Sequence, residues 1–170
     1  MKKVMLLGIN SKFVHTNIAI RYIKKYVEKY SDIEIEIFEK TINNHVEEII
    51  ADIYRKKPEI LMISAYIWNS EYVYKLITEV KKVFKNLTLV LGGPEVSYNA
   101  IELMNKYNEI DYIISGEGEK TTLEFLTKDK KDVKNYILNL EQMLLNTTLK
   151  SNSGLYIKAN YKFVLDEYKQ

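Results

Sequence analysis

Hydrophobic residues in the first three quarters of the chain follow two alternating spacings. Short apolar runs at Val4–Gly8, Ile60–Ser64 and Leu87–Leu91 are typical of strands that are covered on both faces. Between such runs, apolar residues return every three or four positions, as in Asn17–Tyr30, which predicts amphipathic helices. The segment Ile33–Ile37 instead alternates isoleucine with glutamate, which predicts a half-exposed edge strand.

The same spacings continue to about residue 127. The remaining predicted elements are a fifth strand at Tyr112–Ile114 and helices with apolar stripes at Val46–Ile53, Val73–Phe84, Tyr98–Lys106 and Leu123–Leu126. Five strands that alternate with five helices indicate a parallel sheet with right-handed crossovers. We therefore expect a three-layer, Rossmann-like α/β fold with a five-stranded parallel sheet in the flavodoxin-like order 2-1-3-4-5.

After Thr127 the pattern weakens, and it changes character. The segment Lys128–Lys134 carries mixed charges and is predicted to be a solvated loop. Two short apolar segments, Leu155–Lys158 and Lys162–Leu165, flank a turn signal and are predicted to form a β-hairpin. We expect an α/β domain over residues 1–127 and an extension over residues 128–170.

Composition narrows the possible functions. The 170-residue chain has a net charge of only +2, so no broad nucleic-acid or anionic-membrane surface is expected. Cysteine is absent, which excludes disulfides, thiolate zinc sites and an iron–sulfur cluster ligated by these residues. No apolar run approaches the ~18 residues of a membrane span, and Val4–Ile9 is too short for a signal peptide. A cytoplasmic location is expected.

Glycine is concentrated at the predicted carboxyl ends of the strands, where ligands of such sheets bind. Five of the six glycines lie there: Gly8, Gly92, Gly93, Gly116 and Gly118. They belong to, or adjoin, loops over residues 10–16, 65–69, 92–97 and 115–119 that also carry hydroxyl, amide and aromatic side chains. Because glycine permits close backbone approach, we predict a backbone surface on which a large ligand rests.

Each of these loops also has a structural interpretation. Gly-Gly-Pro is a common tight turn in which proline opens a helix, and Ser97, Thr16 or Asn17 can act as helix N-caps. Trp68 can close the core, and a lone loop histidine such as His15 is usually only polar. The acidic residues Glu95, Glu117 and Glu119 lack further metal ligands and are expected to be partners of helix dipoles.

Taken together, the loops resemble the N-terminal cobalamin-binding domain of cobalamin-dependent radical S-adenosylmethionine enzymes. The most specific feature is Gly92-Gly93-Pro94-Glu95 followed, one strand–helix unit later, by Ser115-Gly116-Glu117-Gly118-Glu119. The resemblance covers roughly residues 1–127. It implies a corrin held over the strand ends, with its nucleotide tail beside the fourth and fifth strands. The cofactor-binding residues it implies are Asn10, Ser11, His15, Thr16, Ser64, Tyr66, Trp68, Gly92, Gly93, Pro94, Glu95, Ser97, Gly116, Glu117 and Gly118.

The sequence departs from related patterns in two ways. The Asp-x-His-x-x-Gly motif that supplies a histidine to cobalt is absent, because Phe13 and Ile18 stand where its aspartate and glycine would be. The Cys-x-x-x-Cys-x-x-Cys loop of the catalytic half is also absent. The chain is therefore expected to bind the corrinoid but neither S-adenosylmethionine nor the iron–sulfur cluster. It is either the N-terminal part of a methyltransferase or cyclase-like enzyme or a stand-alone binder. In the first case its partner is a radical SAM domain that binds S-adenosylmethionine and the iron–sulfur cluster.

Other functions on the same fold remain to be weighed. A receiver domain is nearly excluded, because Ile9-Asn10 and Ser64-Ala65 occupy the positions of its acidic residues. A flavin or nucleotide site would require a hydroxyl-rich phosphate loop, which Ser11 and Thr16 match only in part. A non-enzymatic interaction module would use the aromatic residues of the extension, which are Tyr156, Tyr161, Phe163 and Tyr168.

Overall fold

The computed structural model describes residues 2–127 and 154–157. Their elements, in chain order, are β1 (Val4–Asn10), α1 (Ile18–Tyr30), β2 (Ile35–Thr41), α2 (Val46–Lys56), β3 (Ile60–Ser64), α3 (Ser70–Val83), β4 (Thr88–Gly92), α4 (Pro94–Ser97), α5 (Ala100–Lys106), β5 (Tyr112–Ser115), α6 (Gly118–Thr127) and β6 (Gly154–Ile157). Within these two ranges, no helix has the length and hydropathy needed to cross a bilayer.

The strands form one sheet in the order β2-β1-β3-β4-β5-β6. The first five are parallel, which confirms the predicted fold, strand order and edge position of β2. The sixth strand was not expected in this sheet. It runs antiparallel to β5, with Ser115 opposite Gly154 and Tyr112 opposite Ile157.

This pairing places the first strand of the predicted hairpin in the main sheet. The unpaired backbone groups along β5 offer a ready template for another strand, and β6 uses them. The charged segment Lys128–Lys134, the second hairpin strand at Lys162–Leu165 and the aromatic residues Tyr161, Phe163 and Tyr168 lie outside the described residues.

Helices cover both faces of the sheet. One face packs against α2, α3, α4 and α5, and the other packs against α1 and α6. The helices begin close to the predicted positions, except in the segment after β4. There a short helix starts directly at Pro94, and the helix predicted over 98–106 begins at Ala100. Proline favours the first position of a helix because its fixed φ suits that position and the missing N–H is not needed there.

The register of the parallel strands determines what faces α1 and α6. Gly8, Ser64, Gly92 and Ile114 lie opposite one another in a row across the carboxyl end of the sheet. Two residues earlier, the corresponding row consists of large apolar residues, among them Leu6, Met62 and Val90. The side-chain layer on this face is therefore thick in the middle of the sheet and thin at the end of the strands.

Candidate functional site

A cavity of about 1030 Å³ opens where this side-chain layer is thin. Its volume is at the upper limit of typical ligand pockets, so it can accept a large molecule. The walls come from the sheet, from α1 and α6, and from the loops after β4 and β5. The lining residues are Leu6, Ala19, Ile20, Ile23, Met62, Ile63, Ser64, Tyr66, Val90, Leu91, Gly92, Gly93, Pro94, Ser97, Tyr98, Ile114, Ser115, Gly116, Glu117, Gly118, Glu119 and Thr122.

The row of small residues explains where the cavity lies. A Cβ on Gly8 would come within 3.0 Å of Ile20 Cδ1, so α1 already fills the space above β1. A Cβ on Gly92 would find its nearest neighbour at 3.7 Å, the carbonyl oxygen of Ile114. The open volume is therefore centred on β3 and β4, over Ser64 and Gly92.

Gly93 has a different role from Gly92. It has a φ of 103°, and a Cβ there would lie 2.4 Å from the carbonyl oxygen of Ala65. Ala65 N donates to Gly92 O at 2.7 Å, which draws the loop after β4 against the loop after β3. Any side chain at Gly93 would separate these loops, so this glycine shapes the wall of the cavity through backbone packing.

The loop after β3 is organised by the side chain of Asn69, which is almost completely buried. Its Nδ2 donates to Ile9 O at 2.8 Å and to Ser64 O at 3.2 Å, and its Oδ1 accepts from Tyr66 N at 2.8 Å. This arrangement joins the ends of β1 and β3. It also presents Tyr66 at the cavity, where its ring stacks on Trp68 with 4.4 Å between centroids.

Two hydroxyl groups join the loops after β4 and β5. Ser97 Oγ donates to Gly93 O at 2.8 Å and accepts from Gly116 N at 3.2 Å. Ser115 Oγ donates to Ser97 O at 2.9 Å. Ser97 ends α4 and is not the N-cap that the sequence allowed, because the next helix starts three residues later. Both hydroxyl protons are already used within the protein.

The loop after β1 depends on Glu39 of β2, a residue that the sequence analysis did not single out. Its carboxylate accepts from Asn17 N at 2.7 Å, Asn10 Nδ2 at 3.1 Å, Thr16 Oγ1 at 2.9 Å and Arg21. Burial alone would raise the pKa of Glu39. The hydrogen bonds from Asn17, Asn10, Thr16 and Arg21 outweigh that effect, so the pKa lies below its ordinary value.

A hydrogen bond joins the start of α1 to the end of β3 beside the cavity. Asn17 Nδ2 donates to Ser64 Oγ at 3.1 Å, while Asn17 Oδ1 caps α1 by accepting from Ile20 N. Thr122 of α6 is completely buried, and among the described residues its hydroxyl has no hydrogen-bond partner. Across the described ranges, no three His, Cys, Asp or Glu side chains come together as a metal site.

The structure brings together nine of the residues implied by the resemblance. Those that line the cavity are Ser64, Tyr66, Gly92, Gly93, Pro94, Ser97, Gly116, Glu117 and Gly118. Trp68 reaches it indirectly, through its stacking on Tyr66. Asn10, Ser11, His15 and Thr16 form the neighbouring loop after β1 and do not line the cavity. His15 Nδ1 lies 2.8 Å from Ser11 Oγ in an exposed position.

Glu95 does not line the cavity, and its carboxylate lies near Tyr74. Burial, and after it the nearby Glu95 carboxylate, raises the pKa of Tyr74 to about 12, and Tyr74 belongs to α3. The sequence analysis in turn missed the helical wall of the cavity, formed by Ala19, Ile20, Ile23 and Thr122. The apolar stripes of the helices predicted burial there, but periodicity does not distinguish a side chain that packs on the sheet from one that faces a cavity above it.

Comparison with known proteins identifies the family of the chain. The family model described as the B12 binding domain matches residues 4–126. Over 80 residues, 47% of this chain, the chain is 31% identical to the cobalamin-dependent radical SAM methyltransferase TokK of Streptomyces tokunonensis. Over 91 residues it is 30% identical to 2-(S-pantetheinyl)-carbapenam-3-carboxylate methyltransferase of Streptantibioticus cattleyicolor. The matched segments span only 12% and 13% of these relatives.

Solved structures show the same fold. The radical S-adenosylmethionine methyltransferase TsrM of Kitasatospora setae superposes on 73% of this chain with a TM-score of 0.60 and 18% identity, over 25% of its own length. The cobalamin-dependent S-adenosylmethionine radical enzyme OxsB, with aqua-cobalamin bound, covers the same share with a TM-score of 0.59 and 14% identity, over 19% of its length. Because the family model accounts for most of the chain, including every strand around the cavity, the chain belongs to the B12-binding domain family.

Proposed function

We propose that this B12-binding domain holds a corrinoid for a cobalamin-dependent radical SAM methyltransferase, with the corrin over the strand ends and the nucleotide tail in the cavity. The large cavity over β3 and β4, in a chain that matches the B12 binding domain over residues 4–126, supports this proposal most directly. The two methyltransferases that share 30–31% identity with the chain support the class of the parent enzyme.

The residues of the cavity suit such a ligand. Gly92 leaves open space above the sheet, and the apolar row that includes Met62 and Val90 forms a floor for a flat heteroaromatic base. Ser64 accepts one hydrogen bond from Asn17 and keeps its own proton for an acceptor on the ligand.

The same edge of the sheet carries exposed apolar side chains, which suits the corrin and a second domain. Phe13 and Ile67 are 94% and 80% exposed, and Tyr98 is 95% exposed at the cavity mouth. Exposed apolar groups clustered at one edge are typical of a surface that is covered in the working protein. In the proposed arrangement the corrin covers Tyr66 and Trp68, and the catalytic domain closes over the outer loops.

When bound, the corrinoid supplies a cobalt that can carry a methyl group. The residues of this chain bind and orient it. Ser64, Tyr66, Gly92 and the loop Gly116–Gly118 line the cavity and would hold the cofactor, and the stacked rings of Tyr66 and Trp68 would shield one side of it from water. The loop after β1, including Asn10, Ser11, His15 and Thr16, borders the corrin without giving cobalt a ligand from the Asp-x-His-x-x-Gly motif.

The first experiment is a titration of the full chain with hydroxocobalamin, followed by visible absorbance. We expect saturable binding with a one-to-one endpoint. Cobinamide, a corrinoid that lacks the nucleotide tail, is the matched comparison. If the tail occupies the cavity, cobinamide binds at least ~10-fold more weakly, because the apolar contacts along β3 and β4 are lost. Equal affinities would place the tail elsewhere, and absence of binding to either would contradict the proposal.

The parent enzyme is tested separately, by the coding sequence around this chain. We expect a Cys-x-x-x-Cys-x-x-Cys motif within one further domain length downstream. Its radical SAM domain would be the partner of the exposed edge. A flavin or nucleotide function is not favoured, because the open space lies over the strands and a phosphate-binding glycine motif does not follow β1.

A further inference from the structure

Asn17 lies where α1 meets the carboxyl end of the sheet. Its buried side chain packs above Gly8, where an added Cβ would come within 3.1 Å of Asn17 Cβ. In the register of the sheet, Gly8 lies between Glu39 of β2 and Ser64 of β3. Asn17 N donates to Glu39 Oε1 at 2.7 Å, and Asn17 Nδ2 donates to Ser64 Oγ at 3.1 Å. One residue therefore bridges three strands, and the glycine of the middle strand leaves room for it.

The cap of α1 fixes which way the Asn17 amide points. Asn17 Oδ1 accepts from Ile20 N at 3.3 Å, which gives a partner to an N–H group at the start of the helix. An amide nitrogen cannot accept a hydrogen bond, so a reversed amide would lose the cap and set two donors against each other. Nδ2 therefore faces Ser64, and the Ser64 hydroxyl is the acceptor in this pair.

The Ser64 hydroxyl keeps its own proton for another partner. In the part of the chain that the structure describes, Asn17 is the only hydrogen-bond partner of Ser64 Oγ. Ser64 lines the cavity, and 9% of its surface remains exposed. Ser97 and Ser115 line the cavity too, but their hydroxyl groups donate to backbone carbonyl oxygens. Ser64 can instead donate to a molecule that enters the cavity.

We infer that Asn17 is a positioning residue, which holds Ser64 as a hydrogen-bond donor and so selects an acceptor on the nucleotide tail of the corrinoid. This rests on the proposed function, in which the tail enters the cavity. A hydroxyl that already accepts from an amide N–H is polarised and becomes a better donor. The tail has two kinds of acceptor, a ring nitrogen of the lower base that is not bound to cobalt and the oxygens of the sugar and phosphate.

The principal test is Asn17→Asp in the full chain, titrated with cobalamin and followed by visible absorbance. A carboxylate oxygen can still cap α1 by accepting from Ile20 N. The second oxygen can only accept, so Ser64 turns its proton toward residue 17 and presents lone pairs to the ligand. We expect cobalamin affinity to fall roughly 10-fold, the range of one hydrogen bond that is lost and leaves its partner unsatisfied. Cobinamide, which lacks the tail, should lose no affinity.

A double-mutant cycle separates this effect from the charge that Asn17→Asp adds. In the Ser64→Ala background there is no hydroxyl to reverse, so only the electrostatic effect on the tail remains. The loss caused by Asn17→Asp should therefore be several-fold smaller in that background than with Ser64 present. Asn43→Asp adds the same charge at an exposed position of the loop after β2, outside the cavity, and should bind cobalamin like wild type.

Asn17→Ser keeps the proposal testable if the aspartate variant does not fold. Serine also caps helices, but its short side chain has no amide to hold Ser64. We expect roughly 3-fold weaker cobalamin binding, at the low end for one hydrogen bond, and no further loss in Ser64→Ala. p-Cresolylcobamide keeps the sugar and phosphate but has no ring nitrogen. A loss with both cobamides supports the proposal with an oxygen as the acceptor, and a loss with cobalamin alone supports it with the base nitrogen.

Two results would overturn the proposal. One is an equal loss of cobalamin affinity in the Asn17 variants with and without the Ser64 hydroxyl, which indicates a merely structural role. The other is cobalamin binding like that of wild type in both Asn17 variants. A wild-type chain that binds neither cobalamin nor cobinamide would instead contradict the proposed function.

Discussion

At the residue scale, glycines that look alike in the sequence do different things. The space above Gly8 is occupied by Ile20, and Gly93 allows two loops to touch through their backbones. Gly92, one residue away from Gly93, leaves room for a ligand. The difference follows from which face of the sheet each residue points to and from what packs there. Substituting Gly92 and Gly93 one at a time should therefore distinguish an effect on ligand binding from an effect on stability.

Gly92→Ala should keep the fold and weaken corrinoid binding. The new methyl group would meet the protein only at ordinary van der Waals distance, 3.7 Å from Ile114 O, but it would project into the cavity. Overpacking of this kind typically costs 1–3 kcal/mol, which corresponds to roughly 10- to 100-fold in affinity. Thermal unfolding and cobalamin titration measure the two effects. Unchanged affinity would show that the ligand does not approach Gly92.

Gly93→Ala is the contrasting variant. Its methyl group would lie 2.4 Å from Ala65 O on a residue with φ of 103°, so the loops must separate. We expect a lower melting temperature for this variant, whether or not ligand is present. A Gly93→Ala protein as stable as wild type would contradict the described packing of the two loops.

Glu39 should make stability depend on pH in the acid range. Its pKa is lowered in the folded protein, so the ionised carboxylate favours folding. This contribution is complete above the unfolded-state value of 4.5 and is lost as the pH falls through the lower folded-state value. Glu39→Gln should be less stable at neutral pH and lose less stability on acidification, as measured by urea unfolding. Glu34→Gln, at an exposed carboxylate before β2, is the charge-matched control.

At the element scale, the order of strands and helices was predictable because each element carries its own periodicity. β1, β3 and β4 are continuous apolar runs and proved to be central strands, whereas the alternating β2 lies at the edge. Periodicity does not predict contacts between elements that are distant in sequence. The bonds from Glu39 to the loop after β1, and the pairing of β6 with β5, depend on tertiary proximity. The sequence therefore predicted the loop residues of the candidate site but not the residues that the helices contribute to it.

The hydrogen bonds of Asn69 can be tested by substitution, because this one side chain joins the ends of β1 and β3. Asn69→Ala removes three hydrogen bonds and leaves the carbonyl groups of Ile9 and Ser64 without this donor. We expect a loss of about 2–3 kcal/mol in unfolding free energy. Asn69→Asp should be worse, since a carboxylate cannot donate to those carbonyl oxygens. Asn99→Ala, at an exposed position before α5, should change stability little.

At the scale of the whole molecule, the sheet has a protected edge at β5. A parallel sheet of five strands would leave the outer backbone groups of β5 unpaired, and β6 covers them. Exposed strand edges promote association between copies of a protein. We therefore expect the short strand to limit association between copies of the protein, besides completing the sheet.

A truncation series tests this role. Removal of everything after Thr127 exposes the edge of β5, and we expect dimers or larger species on gel filtration at concentrations where the full chain is monomeric. Truncation after Ile157 retains β6 and is the matched control, which should elute as a monomer. A monomeric 1–127 fragment would show that the edge does not need this cover.

The stacked pair of Tyr66 and Trp68 provides the protein with a built-in optical probe. Trp68 is the only tryptophan in the sequence, and it is 53% exposed beside the opening through which a ligand would enter. Tryptophan fluorescence of this protein therefore reports on the surroundings of Trp68. A corrinoid absorbs strongly in the near ultraviolet and the visible, so its binding should quench the fluorescence of Trp68, and no attached dye is needed to follow it.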